Sequence, residues 1–185
     1  LIPIPGRDVM VQAWYQGGIS IFDWTDSENP VEIAFHDRGP VDPNRMQMGG
    51  SWSVYWYNGA IVSSEIARGL DIFELTPSPF LTENEIAAAN TVVLKQLNAQ
   101  GQPKYEWPAT FALAKAYVYQ LERESGLDNQ NITSVRKTLS EAEKASGSER
   151  EKLLSELAEE IEAQSGNSAS AKKVDLLTGT LNELA

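Results

Sequence analysis

Two stretches of this chain repeat each other at an offset of 51 residues, and the repeat limits what the first half can fold into. Gly17-Gly18-Ile19-Ser20-Ile21-Phe22-Asp23-Trp24-Thr25 lies over Arg68-Gly69-Leu70-Asp71-Ile72-Phe73-Glu74-Leu75-Thr76. At the same offset Val9-Met10-Val11 lies over Ala60-Ile61-Val62. Each copy reads as strand, turn, strand. A period of roughly 40 to 50 residues with strands in every unit is the pattern of propeller blades.

Around this repeat, residues 1–78 read as six antiparallel strands in meander order. The expected strands are Val9 to Tyr15, Ile19 to Trp24, Val31 to Phe35, Trp52 to Tyr57, Ala60 to Ile66 and Gly69 to Leu75. Alternation puts Ile19 and Ile21 on one face, with Ser20 and Phe22 on the other. It groups Val31, Ile33 and Phe35 opposite Glu32 and Ala34. Asn58-Gly59 signals a tight hairpin. The strand count predicts one continuous twisted sheet, short of the roughly four blades that closure needs.

Thr76-Pro77-Ser78-Pro79 ends the strands. Thr82-Glu83-Asn84-Glu85 is a capping box, and Ile86, Asn90, Val93 and Leu97 follow at helical spacing. A loop with Gly101 and Pro103 precedes Pro108, which suits a first helical turn. Phe111, Ala114, Val118 and Leu121 then form a stripe closed by Gly126. Three amphipathic segments follow, carried by Ile132, Val135, Leu139 and Ala142, by Leu153, Leu154, Leu157 and Ile161, and by Val174, Leu177, Leu181 and Leu184. Gly147, with a second capping box at Ser148 to Glu151, and Gly166 mark their connections. The predicted organisation is α+β: strands over 1–78, a linker with two helices over 79–126, and a three-helix bundle over 127–185.

Net charge is -11, and both halves share it. Residues 1–78 hold 10 acids and 4 bases, and residues 79–185 hold 16 and 11. Such a surface repels phosphate backbones and anionic lipid, so nucleic acid is not an expected partner and a basic protein fits better. No apolar run is long enough to span a membrane; the expectation is a soluble or peripheral protein. Cysteine is absent, which removes disulfides, thiolate metal sites and a cysteine nucleophile. The chain starts Leu1-Ile2-Pro3, as a processed or partial chain would.

The side chains offer little catalytic chemistry. His36 is the lone histidine; it has Asp37 beside it but no nucleophile motif. Asp23, Asp26 and Glu28 share a turn and present oxygens to a calcium ion, although turn chemistry alone accounts for them. Glu65 and Asp71 form a candidate carboxylate pair, yet the other copy has Trp14 and Ser20 there. Gly17-Gly18 and Gly49-Gly50 are turn glycines without a following Lys-Ser/Thr. Asn131-Ile132-Thr133 is a glycosylation sequon. The reading therefore assigns no catalytic residue, no cofactor and no metal. The aromatic set Trp14, Trp52, Tyr55, Trp56 and Tyr57 is the candidate partner-binding group. In a regular strand Trp52 and Trp56 share one face, and Tyr55 and Tyr57 the other.

Gly18-Ile19-Ser20-Ile21-Phe22-Asp23, Thr25-Asp26 and Asn29-Pro30-Val31-Glu32-Ile33-Ala34 resemble the hairpin and outer strand of the LVIVD-repeat proteins, a family of predicted bacterial and archaeal β-propellers. Trp52 to Gly59 and Glu65 to Asp71 look like a terminal blade. The resemblance covers roughly residues 7–78, with Ser27 where the family has Pro and only about one and a half blades. It implies a secreted or surface location, periplasmic or extracellular, and no catalytic residues. The expected function is thus a non-enzymatic interaction or scaffold protein, an accessory subunit docked on a larger, membrane-associated assembly. The alternative is the C-terminal part of a longer secreted propeller whose binding or hydrolytic site lies in missing blades.

Overall fold

A computed structural model describes residues 1–102, 104–164 and 170–185. Pro103 and the expected connection at Gly166 lie outside the described residues. The chain divides into two compact units, Leu1–Glu106 and Trp107–Ala185. The fold is α+β, with six strands followed by five α-helices among the described residues.

The first unit contains β1 (Val9–Ala13), β2 (Ile19–Asp23), β3 (Val31–His36), β4 (Ser51–Tyr57), β5 (Ala60–Glu65), β6 (Gly69–Glu74) and a short helix, α1 (Glu83–Ala89). The strands do not make the single continuous sheet that their number suggests. They form two three-stranded antiparallel sheets, β1-β2-β3 and β4-β5-β6. A one-residue bridge joins them: Tyr15 and Ser51 exchange backbone hydrogen bonds of 3.0 and 2.8 Å. Gly50 permits this approach. Its φ is +87°, and a Cβ there would fall 1.8 Å from the Tyr15 carbonyl oxygen.

The repeat is real at the level of register. Val9 pairs with Asp23, and Val11 with Ile21; 51 residues on, Ala60 pairs with Glu74, and Val62 with Ile72. The two hairpins nevertheless bury opposite faces. Val9, Val11, Ile19 and Ile21 are buried in the first, whereas Ile61, Ser63 and Asp71 are buried in the second. Chain geometry requires this. The bridge is antiparallel, so β4 runs against β1, and β5 runs with β1. The strand order is β3-β2-β1-β4-β5-β6, which puts β2 on one side of β1 and β6 on the opposite side of β5. Hairpins with the same strand directions but reversed order must show opposite faces to a common interior.

Two bulges reset the alternation. In β3 the register shifts around Ile33. Ile33 is buried while Val31 and Phe35 are exposed, so the expected Val31–Ile33–Phe35 face is not formed. In β4 the shift falls between Ser51 and Ser53. Asn58 and Gly59 have φ of 47° and 88° and close the β4–β5 hairpin as expected.

The Thr82 capping box is present: the Glu85 amide donates to Thr82 Oγ1 (3.2 Å) and the Thr82 amide to Glu85 Oε2 (2.7 Å). The helix it opens is shorter than its apolar spacing predicts. It ends at Asn90, because Asn58 Oδ1 takes the Leu94 amide (2.8 Å) and Asn58 Nδ2 donates to the Leu94 carbonyl (3.1 Å). Val93 is left exposed.

The second unit holds α2 (Phe111–Arg123), α3 (Asn129–Lys144), α4 (Ser148–Glu162) and α5 (Ala171–Leu184). The segment 79–126 is thus shared, with α1 among the strands and α2 among the helices. The stripes Ala114-Val118-Leu121, Ile132-Val135-Leu139, Leu154-Leu157-Ile161 and Val174-Leu177-Leu181 are all buried. Thr110 caps α2 by accepting the Leu113 amide, so Pro108 precedes the helix instead of opening it. Ser125, not Gly126, takes the left-handed conformation after it. The second capping box does not form: α4 starts at Ser148 with Gly147 as its N-cap and no side-chain bond. Asn131, the sequon residue, hydrogen-bonds Asp128 and Gln164. Among the described residues no helix is long and apolar enough to cross a membrane.

Candidate docking face and its surroundings

The β4 bulge decides where the aromatic side chains go. Ser51 pairs with Glu65 and Ser53 with Ser64, which leaves Trp52 as the extra residue. Ser51 and Ser63 hydrogen-bond on the buried face (2.9 Å), and Ser53 and Ser64 on the other (3.0 Å). Trp52 therefore leaves the face of Trp56 and joins that of Tyr55. It is 59% exposed, whereas Trp56 is 2% exposed. The expectation that they share a face fails because an inserted residue shifts the period-2 alternation by one.

On this outer face Tyr55, Val62 and Ile72 stand directly across from one another on three strands. Ser53, Ser64 and Leu70 form the next row, and Tyr57, Ala60 and Glu74 the one beyond. Leu70 and Ile72 are 60% and 64% exposed, and Tyr55 is about half exposed. Tyr15 packs edge-on against Trp52, with ring centroids 5.7 Å apart. Trp52, Tyr55 and Tyr57 thus come together, and with them Val62, Leu70 and Ile72, which the aromatic count missed. The repeat by itself points the other way, because Leu70 and Ile72 are the counterparts of the buried Ile19 and Ile21.

The other two aromatic candidates lie elsewhere. Trp14 packs against Phe22 (6.5 Å), which in turn meets Trp24 (6.1 Å), in a separate half-exposed cluster. Trp56 belongs to the core, edge-on to Tyr105 at 6.4 Å, and its buried indole N–H has no hydrogen-bond partner among the described residues. It also lines a cleft of about 490 Å3 with Leu1, Val11, Leu97 and Tyr105. As a buried side chain, Trp56 supports the sheet and offers no surface to a partner.

The charged candidates are engaged internally. Arg7, almost fully buried, donates to Asp23 Oδ2 (2.6 and 3.1 Å), to Glu85 Oε1 (2.9 Å) and to the Phe80 carbonyl (2.8 Å). This clamp ties the segment before β1 to β2 and α1. Burial pushes the Asp23 carboxyl up, but the Thr25 hydroxyl and amide and the Arg7 guanidinium outweigh it and hold the pKa below 3.8. Asp26 accepts from the Glu28 amide and Asn29, as a turn aspartate does. Glu65 accepts from the backbone amides of Gly50, Ala67 and Arg68 and pairs with Arg68. Asp71 pairs with Arg38. Glu65 and Asp71 thus have separate partners. His36 stacks near Phe73, with centroids 4.7 Å apart.

The result is an asymmetric surface. All four arginines of residues 1–78 are ion-paired: Arg7, Arg38, Arg45 and Arg68. Asp8, Glu32 and Glu74 have no cation within this set. Among the described residues no cluster of three or more His, Cys, Asp or Glu is placed to hold a metal ion. The arrangement presents an apolar face with Glu74 in its end row. Compared with family models, curated proteins and solved structures, the chain matches none.

Proposed function

We propose that this chain is a non-enzymatic interaction protein, an accessory or scaffold subunit that docks on a larger protein assembly. One observation carries the reading. The outer face of β4-β5-β6 presents Trp52, Tyr55, Leu70 and Ile72 to solvent in adjoining rows. Contiguous exposed apolar surface of this kind marks an interaction site, and aromatic side chains are the usual anchors of such contacts. The uncompensated acidic charge favours a basic protein partner over nucleic acid or anionic lipid. A site outside the cytoplasm, at a membrane-bound assembly, accords with the resemblance to LVIVD-repeat proteins.

The test is the native assembly of a Trp52→Ser/Ile72→Ser variant. Both side chains are exposed, so circular dichroism should stay unchanged while association weakens by about 2 kcal/mol or more if they form a hot spot. A folded double variant that assembles with wild-type affinity refutes the reading. The same bare face is where a further sheet of a longer propeller would lie. That alternative requires additional repeats in the native protein, which its intact mass would reveal.

A further inference from the structure

We infer that the cleft between β3 and β6 takes an extended segment of a partner protein, apolar toward the interior and basic toward solvent. This rests on the reading that the strand unit docks a protein, and it adds a second, distinct point of contact. The cleft holds about 250 Å3. Each of its walls is four consecutive residues, Ile33 to His36 of β3 on one side and, on the other, Phe73 and Glu74 of β6 with Leu75 and Thr76 just after it. Strands that show consecutive residues to a cleft present their edges, because the side chains of a face alternate. Both edges are open. Among the described residues β3 pairs only with β2 and β6 only with β5, and no other backbone hydrogen bond reaches these residues. Unpaired donors and acceptors on a strand edge are met by another extended backbone.

The floor selects the inward side chains. Ile19, Ile21, Ile33, Ile61 and Leu81 line it, so every second residue of the segment must be apolar and small. Charge selects the outward ones. Glu74 faces outward in register with Ala60 and Tyr57, and Glu32 opposes Phe22 on the outer side of its sheet. Among the described residues neither carboxylate has a cation partner, and the four arginines of this region are committed elsewhere. Lysine or arginine on the outward side of the segment complements both. The Phe73–His36 contact closes one end of the cleft, which limits the paired stretch to a few residues.

The experiment uses the full chain and a blocked probe peptide, acetyl-Lys-Val-Lys-Val-Lys-Val-amide, with hydrogen exchange read by NMR. The peptide should slow exchange at amides of 33–36 and 73–76. Replacing its lysines by glutamates, or methylating the backbone nitrogens of alternate residues, should each weaken binding by about 10-fold or more. A Glu32→Lys/Glu74→Lys variant should reverse the preference between the two peptides. The Trp52→Ser/Ile72→Ser variant should bind the peptide unchanged, which separates this site from the outer face. Absence of binding at millimolar peptide, protection confined to other strands, or indifference to N-methylation would overturn the inference while leaving the outer-face reading standing.

Discussion

The hairpins β1–β2 and β5–β6 share a sequence pattern, a length and a register, yet one buries Val11 and Ile21 while the other leaves Val62 half-buried and Ile72 exposed. Local sequence therefore fixes how such a hairpin pairs, but not which side it turns inward. That choice belongs to the Tyr15–Ser51 bridge, a single long-range contact that reverses the order of the second hairpin relative to the first. A β-branched face placed outward in this way costs the fold little, and it creates the surface on which the functional reading depends.

The largest expected effect lies within one strand and tests the bulge. Trp56→Ala should destabilise the protein by roughly 3–5 kcal/mol, as a truncated core tryptophan does. Trp52→Ala, four residues away, should cost about 1 kcal/mol or less, in keeping with a surface position. Urea unfolding of the two variants checks this; equal losses would place both on one face and remove the bulge.

Next is the repeat itself. Ile21→Ala should cost roughly 2–5 kcal/mol. Its counterpart Ile72→Ala loses only cross-strand contact with Val62 and should cost about 1 kcal/mol or less. Similar values for the pair would mean that the hairpins are packed alike.

The smallest effect concerns charge at equivalent positions. Asp23 is clamped by Arg7 and Thr25, whereas its counterpart Glu74 has no cation. The folded pKa of Asp23 lies below the ordinary 3.8. Its contribution is therefore complete above that value and is lost as pH falls through the lower, folded one. Asp23→Asn should flatten the acid limb of a Tm-versus-pH curve. An acid limb that survives in Asp23→Asn would show that the clamp does not set it.

Much of the architecture was legible because it is local. The strands follow from alternation, the Asn58-Gly59 turn from its demand for positive φ, the start of α1 from the Thr82–Glu85 box, and the helical stripes from their spacing. What stayed hidden depends on contacts distant in sequence. Asn58 holds Leu94, beyond the end of α1, from 36 residues away, and the bulges at Trp52 and Ile33 exist only against their partner strands. The one bridge between the two sheets turns on Gly50, where only a missing Cβ lets Tyr15 approach. For the docking face, aromatic content singled out Trp52, Tyr55 and Tyr57 but also drew in Trp56. It passed over Leu70 and Ile72, whose exposure follows from the flipped hairpin and not from their type.

Because the chain has no cysteine, the central claim is open to a direct measurement. Single variants Ile19→Cys, Ile21→Cys, Leu70→Cys and Ile72→Cys place a thiol at both pairs of equivalent positions, and native-state labelling rates with a thiol reagent report their exposure. Leu70→Cys and Ile72→Cys should react about as fast as an unfolded thiol, while Ile19→Cys and Ile21→Cys should be protected by about 100-fold or more, since buried sites react only through opening. Equal rates at equivalent positions, or protection at Leu70→Cys and Ile72→Cys, would contradict the opposed packing of the two hairpins.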